Sequence, residues 1–136
     1  MWHVPWCVQG MLEAITNRAN YQIAKNMLDV AHARQKALAS NIANFENPGY
    51  KRLDVAKSFQ AELHKAVKTK DLKTLQQMRP VLEQDPTARA LRADGNNVSI
   101  EKEMFALNQN ALEYDFATQL VSGSIKRLNT AIKGQA

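Results

Sequence analysis

The sequence has little cysteine, few aromatic residues and few chain-breaking residues. Cys7 is the single cysteine of 136 residues, so an internal disulfide is impossible and a disulfide-stabilised scaffold is excluded. Aromatic residues make up 7%, and there are 5 glycines and 4 prolines. Alanine, leucine, lysine, glutamine and asparagine are abundant instead. This composition favours helices over a large sheet with a bulky core.

Long apolar runs are also missing. No stretch approaches the roughly 20 apolar residues that a membrane-spanning helix needs. The first ten residues, MWHVPWCVQG, have no basic segment, and Pro5 and Gly10 interrupt their apolar character, so they do not resemble a cleaved signal peptide. We interpret residues 1–10 as an upstream extension, with Met11 as the biological start, or as a flexible tail.

The net charge of +5 is compatible with binding nucleic acid, anionic lipid or an acidic protein. The charges are scattered, however. The densest group is Lys65, Lys68, Lys70 and Lys73, which Asp71 interrupts and which no aromatic residue interleaves. We expect this lysine group to form a solvent-exposed helix face. A basic helical module for nucleic acid or an anionic surface is the alternative from another functional class.

Patterns that would support catalysis or ligand binding are absent from the sequence. Its three histidines are isolated, and it has no glycine-rich phosphate loop and no nucleophile elbow. Glu101 and Glu103 are two residues apart, so on a helix they point in different directions. The stretch from Asp94 to Glu101 does not have the spacing of a calcium loop. We therefore predict no enzyme, no metal, no cofactor and no small-molecule substrate.

Two heptad patterns are present near the two ends of the chain. The first predicts an N-terminal helix over residues 11–46, with a narrow apolar seam that packs against another helix. Its seam positions alternate in steps of three and four, and only Gln35 is polar: Tyr21, Ala24, Leu28, Ala31, Gln35, Leu38, Ile42 and Phe45.

The second pattern predicts a long helix over residues 99–134. Ser99 is expected to be its N-cap, with Glu101 and Glu103 in the first turn, where the helix dipole favours acidic residues. Only Thr118 departs from apolar or aromatic character along this seam, which consists of Ile100, Met104, Leu107, Ala111, Tyr114, Thr118, Val121, Ile125, Leu128 and Ile132.

The segment of residues 47–98 is poorer in apolar residues. It predicts a short helix from about Asp54 to Lys68, a second from Asp71 to Met78, and then extended chain or loop. We predict one mainly α domain in which the long N- and C-terminal helices pack as an antiparallel coiled-coil-like hairpin. Its core would be small, so other copies or partner subunits are expected to support it, and a compact monomer of three or four helices is the alternative.

The stretch ASNIANFENPGY, residues 39–50, predicts how the first helix ends. Asn41 and Asn44 are expected to bond open backbone groups at the helix end, with Asn44 or a neighbour left-handed. Asn47, Pro48 and Gly49 suit a tight turn, after which the Tyr50 ring can pack back on the helix.

Two separated stretches resemble the bacterial flagellar rod and hook family. In residues 37–59 the similarity rests on the asparagine–isoleucine–alanine–asparagine stretch at residues 41–44 and on the proline–glycine–tyrosine stretch at residues 48–50. Arg52 and Asp54, which follow, point to the proximal-rod proteins of that family. In residues 94–120 it rests on a glycine–asparagine–asparagine motif and the helix that follows. The matching site residues are Asn41, Ile42, Ala43, Asn44, Pro48, Gly49 and Tyr50, and then Gly95, Asn96, Asn97, Val98, Glu101, Glu103, Met104, Asn110 and Tyr114.

The resemblance implies a structural subunit of the proximal rod of the flagellar basal body, located in the periplasm and exported without a cleaved signal through the flagellar type III apparatus. It implies a homo-oligomer that contacts FliE, FlgC, the MS-ring protein FliF and other rod proteins, and no nucleic acid. FlgC, the sibling proximal rod protein, is the alternative within the family. We expect the seams to be partly exposed in the single chain and buried on assembly.

Overall fold

The computed structural model describes residues 18–85, 87, 89 and 92–134. The two ends of this range carry the long helices, and the middle carries shorter elements. In chain order these are α1 (Arg18–Ala43), β1 (Leu53–Val55), α2 (Lys57–Thr69), α3 (Leu72–Gln77), β2 (Leu82–Gln84) and α4 (Ile100–Lys133). The proposals for residues 1–10 and for Met11 lie outside the described residues.

Helices α1 and α4 pack along each other in opposite directions. The end of α1 meets the start of α4, since the Asn41 side-chain amide donates to Glu103 Oε2 at 2.9 Å. Further along, Arg34 pairs with Glu113, with 2.6 Å between Nη1 and Oε2. The predicted mainly α fold, with two long helices packed as an antiparallel hairpin, is confirmed.

The side of α1 that is buried contains three predicted seam residues spaced by seven. Ala24, Ala31 and Leu38 are buried there, while Leu28 and Ile42 are half-buried. Small alanines allow the two helix backbones to approach closely, but each buries little apolar area. The pairing of α1 with α4 therefore depends on polar contacts as well as on apolar burial.

The buried stripe of α4 differs from the predicted seam. Glu103, Asn110 and Ala117 are its most buried residues, again spaced by seven. They lie about 100° around the helix from seam positions 104, 111 and 118. Of the seam residues, Leu107, Val121 and Leu128 are half-buried, whereas Met104, Tyr114 and Ile125 are exposed.

A physical reason for this difference is that α4 has apolar residues on several faces. Periodicity finds one such face but does not identify the one that meets α1. The hydrogen bonds of Glu103 to Asn41 and of Asn110 to the Ala31 carbonyl at 2.9 Å fix the rotation of α4 instead. Helix α4 thus contacts α1 through the more polar stripe of Glu103, Asn110 and Ala117, and not through its predicted apolar seam.

The middle of the chain forms a small layer against α1. Strands β1 and β2 pair antiparallel, with Leu53 opposite Gln84 and Val55 opposite Leu82. This two-stranded ribbon was not predicted, because each strand has only three residues and depends on its partner. The two short helices were predicted, and α2 begins at Lys57, after the strand that occupies the expected helix start.

A compact apolar cluster holds this layer together. It consists of Val55, Ala56, Phe59, Ala66, Leu75 and Met78, with Ile23, Val30 and Ala33 of α1 packed against it. The buried Asn26 side chain of α1 donates to the Leu75 carbonyl at 2.8 Å, which fixes α3 against α1. Within the described residues, none of the helices has the length and apolar character needed to cross a membrane.

Candidate functional site

The two sequence motifs meet where α1 ends and α4 begins. We call this region the hairpin corner and define it by Asn41, Asn44, Gly49, Tyr50, Arg52, Gly95, Asn96, Asn97 and Glu103. Several of its side chains are buried although they are polar: Asn41 and Asn96 are 0% exposed and Glu103 is 1% exposed. Buried polar groups are costly unless they are bonded, so the contacts of these three residues decide what the corner does.

The end of α1 is closed by a tightened turn. The Asn44 N–H donates to the Ser40 carbonyl at 3.1 Å and to the Asn41 carbonyl at 3.2 Å, and its side-chain amide also reaches the Ser40 carbonyl, at 2.8 Å. The predicted left-handed residue at this helix end is wrong. Among the described residues, Lys70 is the one non-glycine residue with positive φ. Shared bonds in the last turn close the helix instead.

The remaining carbonyls after α1 are capped from a distant part of the chain. The Asn96 side-chain amide donates to the carbonyls of Asn44 at 3.2 Å, Phe45 at 3.0 Å and Asn47 at 2.8 Å. Its Oδ1 accepts from the Val98 N–H at 2.8 Å. One buried side chain therefore caps the end of α1 and also hydrogen-bonds the backbone of the segment that leads into α4.

Two glycines allow the turns of the corner to face each other. Gly49 has φ +72° and Gly95 has φ +82°, a region that L-residues with a side chain seldom adopt. The Gly49 N–H donates to the Asp94 carbonyl at 3.0 Å, and Lys51 Nζ donates to the Gly95 carbonyl at 2.7 Å. The Pro48–Gly49 turn is thus bonded directly to the second motif.

Asn41 connects α1 to β1 and to α4. Its side chain exchanges two hydrogen bonds with Leu53: Nδ2 donates to the carbonyl at 2.9 Å, and Oδ1 accepts from the N–H at 2.8 Å. Nδ2 also donates to Glu103. The prediction that Asn41 bonds open groups at its own helix end is therefore wrong. It acts instead as an additional strand partner for β1.

The Tyr50 ring returns to α1, as the sequence predicts. Its hydroxyl lies 3.0 Å from Ser40 Oγ and donates to Asn41 Oδ1 at 3.3 Å. This contact fixes the direction in which the chain leaves the turn.

Arg52 is the centre of charge in the corner. Its Nε donates to Glu103 Oε1 at 2.7 Å, and its Nη1 donates to Asp54 at 2.9 Å and to Asp85 at 3.0 Å. Burial of Arg52 opposes its charged form, but the hydrogen bonds to Glu103 and Asp54 outweigh burial and raise the pKa of Arg52 above its usual value. The guanidinium therefore stays charged and fixes three elements to one point.

Asp85 is also held in its charged form. Hydrogen bonds from the Thr87 hydroxyl and the Thr87 N–H, together with the charge of Arg52, lower the pKa of Asp85 below its usual value. The Asp85 N–H donates to the Arg52 carbonyl at 2.9 Å as well. The ribbon end at β2 is thus fastened to the corner by backbone and side chain together.

The chemistry available in the corner is attraction and hydrogen bonding within the chain. Arg52 and its carboxylates are engaged with each other, an arrangement that suits a rigid joint. Among residues 18–85, 87, 89 and 92–134, no three His, Cys, Asp or Glu residues are grouped so that they could hold a metal ion.

The structure separates the motif residues into two groups. The corner contains Asn41, Asn44, Gly49, Tyr50, Gly95, Asn96 and Asn97, with Ile42, Ala43 and Pro48 in the helix end and turn beside it. Glu101, Met104 and Tyr114 are exposed along α4. Sequence reasoning missed the buried position of Glu103 and the joining role of Arg52. The only available signal was the motif that contains Arg52 and Asp54.

Exposed apolar side chains are the second feature that bears on function. On α4, Phe105 and Leu112 are each 72% exposed, and Phe116 is 56% exposed. Ile125 and Ile132 are 52% and 83% exposed. Large apolar side chains that recur along an exposed helix are typical of a surface that contacts other proteins.

Known proteins of similar sequence give a consistent result, although no family model matches the chain. The flagellar basal body rod protein FlgB of Borrelia hermsii is 33% identical over 128 residues, which cover 82% of this chain and 93% of that protein. FlgB of Aquifex aeolicus is 33% identical over 114 residues, covering 82% and 91%. FlgB of Bacillus subtilis is 31% identical over 123 residues, covering 83% and 92%. With this identity over nearly the full length of its relatives, the chain belongs to the family of the flagellar basal body rod protein FlgB.

Proposed function

We propose that this chain is a self-assembling structural subunit of the proximal rod that transmits torque from the MS ring to the distal rod. The observation that carries the proposal is the combination of a corner whose buried polar side chains are hydrogen-bonded with exposed apolar residues along α4. A part that transmits torque must resist bending within each subunit and must bind its neighbours firmly.

The exposed residues support assembly through the helices. The large apolar residues of the predicted α4 seam that remain exposed are Met104, Tyr114, Ile125 and Ile132. Complete burial of a fully exposed large apolar side chain contributes about 1.5–3 kcal/mol, so burying these residues together between subunits favours association. We infer that these residues become buried between subunits in the rod.

We further infer the position of the protein in the organelle. The subunit would leave through the flagellar type III export apparatus and assemble in the periplasm next to the MS-ring protein FliF and FliE. FlgC and the remaining rod proteins would follow. Family membership supports this assignment, and the names of the relatives support FlgB over its sibling FlgC.

A gene deletion tests the proposal. We expect the deletion to abolish motility and to leave basal bodies without rods by electron microscopy, with recovery when the wild-type gene is supplied. Intact rods in the deletion strain would refute the proposed function.

The purified protein should also bind heparin weakly, with little dependence on salt, since strong salt-dependent binding would favour a nucleic-acid or anionic-surface module.

A glycine variant tests whether the corner matters to assembly. Gly49→Val puts a β-branched residue at φ +72° where no atom lies within 4 Å of the new Cβ, so the cost arises in the backbone alone. We expect rod assembly to suffer more than the helicity of α1 does. Gly123→Ala is the matched control, because its Cβ would meet only Arg127 Nη1, at 3.7 Å. Normal motility with Gly49→Val would refute the role of the corner.

A further inference from the structure

Beside α1 lies a shallow groove whose charged residues are mainly basic. It has a volume of about 540 Å³ and lies between α1 and the segment that connects α3 to β2. We call it the basic groove; it is lined by Lys25, Asp29, His32, Ala33, Lys36, Arg79, Pro80 and Leu82. The apolar lining residues Ala33, Pro80 and Leu82 form a surface against which an apolar side chain can pack. Val81, next to them, is 58% exposed.

The cations of the groove outnumber its one acid. Lys25, Lys36 and Arg79 are exposed, and Asp29 is the one carboxylate in the lining. Arg79 is held in place, because its Nη1 donates to the Gln76 carbonyl at 3.1 Å and to the Met78 carbonyl at 2.7 Å. The groove therefore suits an apolar segment that carries negative charge.

Such a segment exists on the outer side of α4. Phe105, Leu112 and Phe116 are separated by seven and four residues, so they lie along one side of the helix, away from the buried stripe of Glu103, Asn110 and Ala117. We call these three residues, with Glu101 and Asp115 beside them, the outer ridge.

The charge of the outer ridge is negative. From Glu101 to Gly123 the exposed charged residues are Glu101, Lys102 and Asp115, with a net charge of −1, and the half-buried Glu113 is paired with Arg34. Glu101 and Asp115 are both exposed. A hydrogen bond from its own backbone N–H, and another from the Ser99 hydroxyl, lower the pKa of Glu101, so it stays charged near neutral pH.

We propose that the outer ridge of one copy of this chain docks in the basic groove of the next copy. The inference rests on the proposed function and names the two surfaces that join neighbouring subunits. Aromatic and leucine side chains of the ridge contact the apolar part of the groove, while Glu101 and Asp115 lie against Lys25, Lys36 and Arg79. Opposite charges on the two surfaces set the orientation of the contact.

A second copy is the occupant because both complementary surfaces belong to the same chain. Within one molecule they cannot meet, since the ridge faces away from α1 and the groove is formed on α1. Two ridges would bring acidic groups together, and two grooves would bring cations together, so a symmetric pair through either surface is disfavoured. A contact between unlike surfaces repeats as an open helical array when the rotation between copies does not close a ring, and an elongated rod requires such an array.

Charge reversal of each surface tests the contact in the full chain. The groove variant combines Lys25→Glu with Arg79→Glu, and the ridge variant combines Glu101→Lys with Asp115→Lys. Each alone should lower self-association about tenfold or more in sedimentation experiments, since like charges across an interface repel. A mixture of the two variants should regain association, because every ridge then finds a groove of opposite charge.

A matched control separates specific contact from net charge. Lys65→Glu with Lys68→Glu changes the net charge by the same amount as the groove variant, but at exposed positions of α2 outside the groove. We expect it to associate as the wild type does. Circular dichroism establishes that all variants are folded before they are compared.

Cross-linking identifies the residues in contact. A carbodiimide joins lysines to nearby carboxylates, and a mixture of isotope-labelled and unlabelled chains marks the links between copies. We expect links from Lys25 or Lys36 to Glu101 or Asp115 at millimolar protein concentration. Absence of these links, or failure of the two charge variants to restore each other, overturns the proposal.

Experiments in cells distinguish this inference from the proposed function. If the deletion removes rods but the groove variant builds normal ones, the docking contact is wrong and the structural role stands. If the deletion leaves rods intact, the structural role is wrong, and the cross-links between copies still decide whether the contact exists.

Discussion

The hairpin corner and the C-terminal half of α4 differ in how the chain stabilises them. In the corner, buried polar side chains are bonded several times each, and Arg52 alone bonds three carboxylates. In the C-terminal half of α4, Ala117 is fully buried, but Ile125 and Ile132 are 52% and 83% exposed. The geometry of the corner is fixed by contacts within the single chain, while the C-terminal half of α4 exposes large apolar side chains to solvent.

The difference indicates a division of roles. Multiply bonded polar groups in a low-dielectric site tolerate few alternative geometries, so the corner fixes the angle and register of the two helices. Exposed apolar residues contribute little to the stability of the single chain and remain available for neighbours. Substitutions should therefore lower the stability of the single chain at the corner and weaken association at the C-terminal half of α4.

The largest effect is expected for Glu103→Ala. Glu103 accepts from Arg52 and Asn41 and is 1% exposed, so its removal leaves a partly buried guanidinium without its most buried partner. We expect a loss of about 3–5 kcal/mol in the free energy of unfolding, measured with urea. Glu101→Ala, two residues away and exposed, should change it by less than about 0.5 kcal/mol. Similar values for the two variants would contradict the assignment of the corner as the stable region.

A smaller loss is expected for Asn96→Ala. Three carbonyls after α1 lose their shared donor, and the Val98 N–H loses its acceptor. Leaving buried groups unpaired costs about 1–3 kcal/mol, which urea unfolding can resolve. Asn108→Ala, at an exposed position of α4, is the control and should be nearly neutral. If both variants unfold alike, the capping role of Asn96 is wrong.

The sequence predicts the helices more readily than the corner. Both long helices follow from local heptad spacing, and the Ser99 cap follows from its position before Ile100, which the structure supports through the bond to the Lys102 N–H at 3.5 Å. The corner joins Arg52 to Glu103 across 51 positions of the chain, and no local pattern encodes such a contact.

The rotation of α4 was predicted incorrectly for a related reason. Hydrophobic periodicity assumes that the most apolar side faces the partner helix. Here Glu103 and Asn110 face α1, because Asn41 and the Ala31 carbonyl bond them there. An isolated sequence gives no reason to place a glutamate and an asparagine in a helix interface while Phe105 and Leu112 stay in solvent.

Acid should weaken the corner through Asp85. Its pKa is lower in the folded chain than the value of about 3.9 expected when unfolded, so Asp85 adds stability above that pH, and this stability is lost as the pH falls through the folded pKa. Asp85→Asn should lower stability at neutral pH by about 1 kcal/mol or less and flatten the decline in stability as the pH falls below about 4. An unchanged acid profile, measured by urea unfolding at each pH, would show that Asp85 does not fasten the ribbon.

The smallest effect on the single chain is expected at the end of α4. Ile132→Ser removes a side chain that is 83% exposed, so the free energy of unfolding should change by less than about 0.5 kcal/mol. Ala117→Ser, at a position that is 0% exposed, is the contrasting variant and should lower the free energy of unfolding more, because a hydroxyl enters the contact with α1.

Hydrogen exchange should likewise be faster at residues 125–133 than at residues 103–117, since an end with few buried contacts opens more easily. Strong protection of residues 125–133 in the isolated protein would mean that this part of α4 is already stabilised within the chain, and the contrast with the hairpin corner would no longer hold.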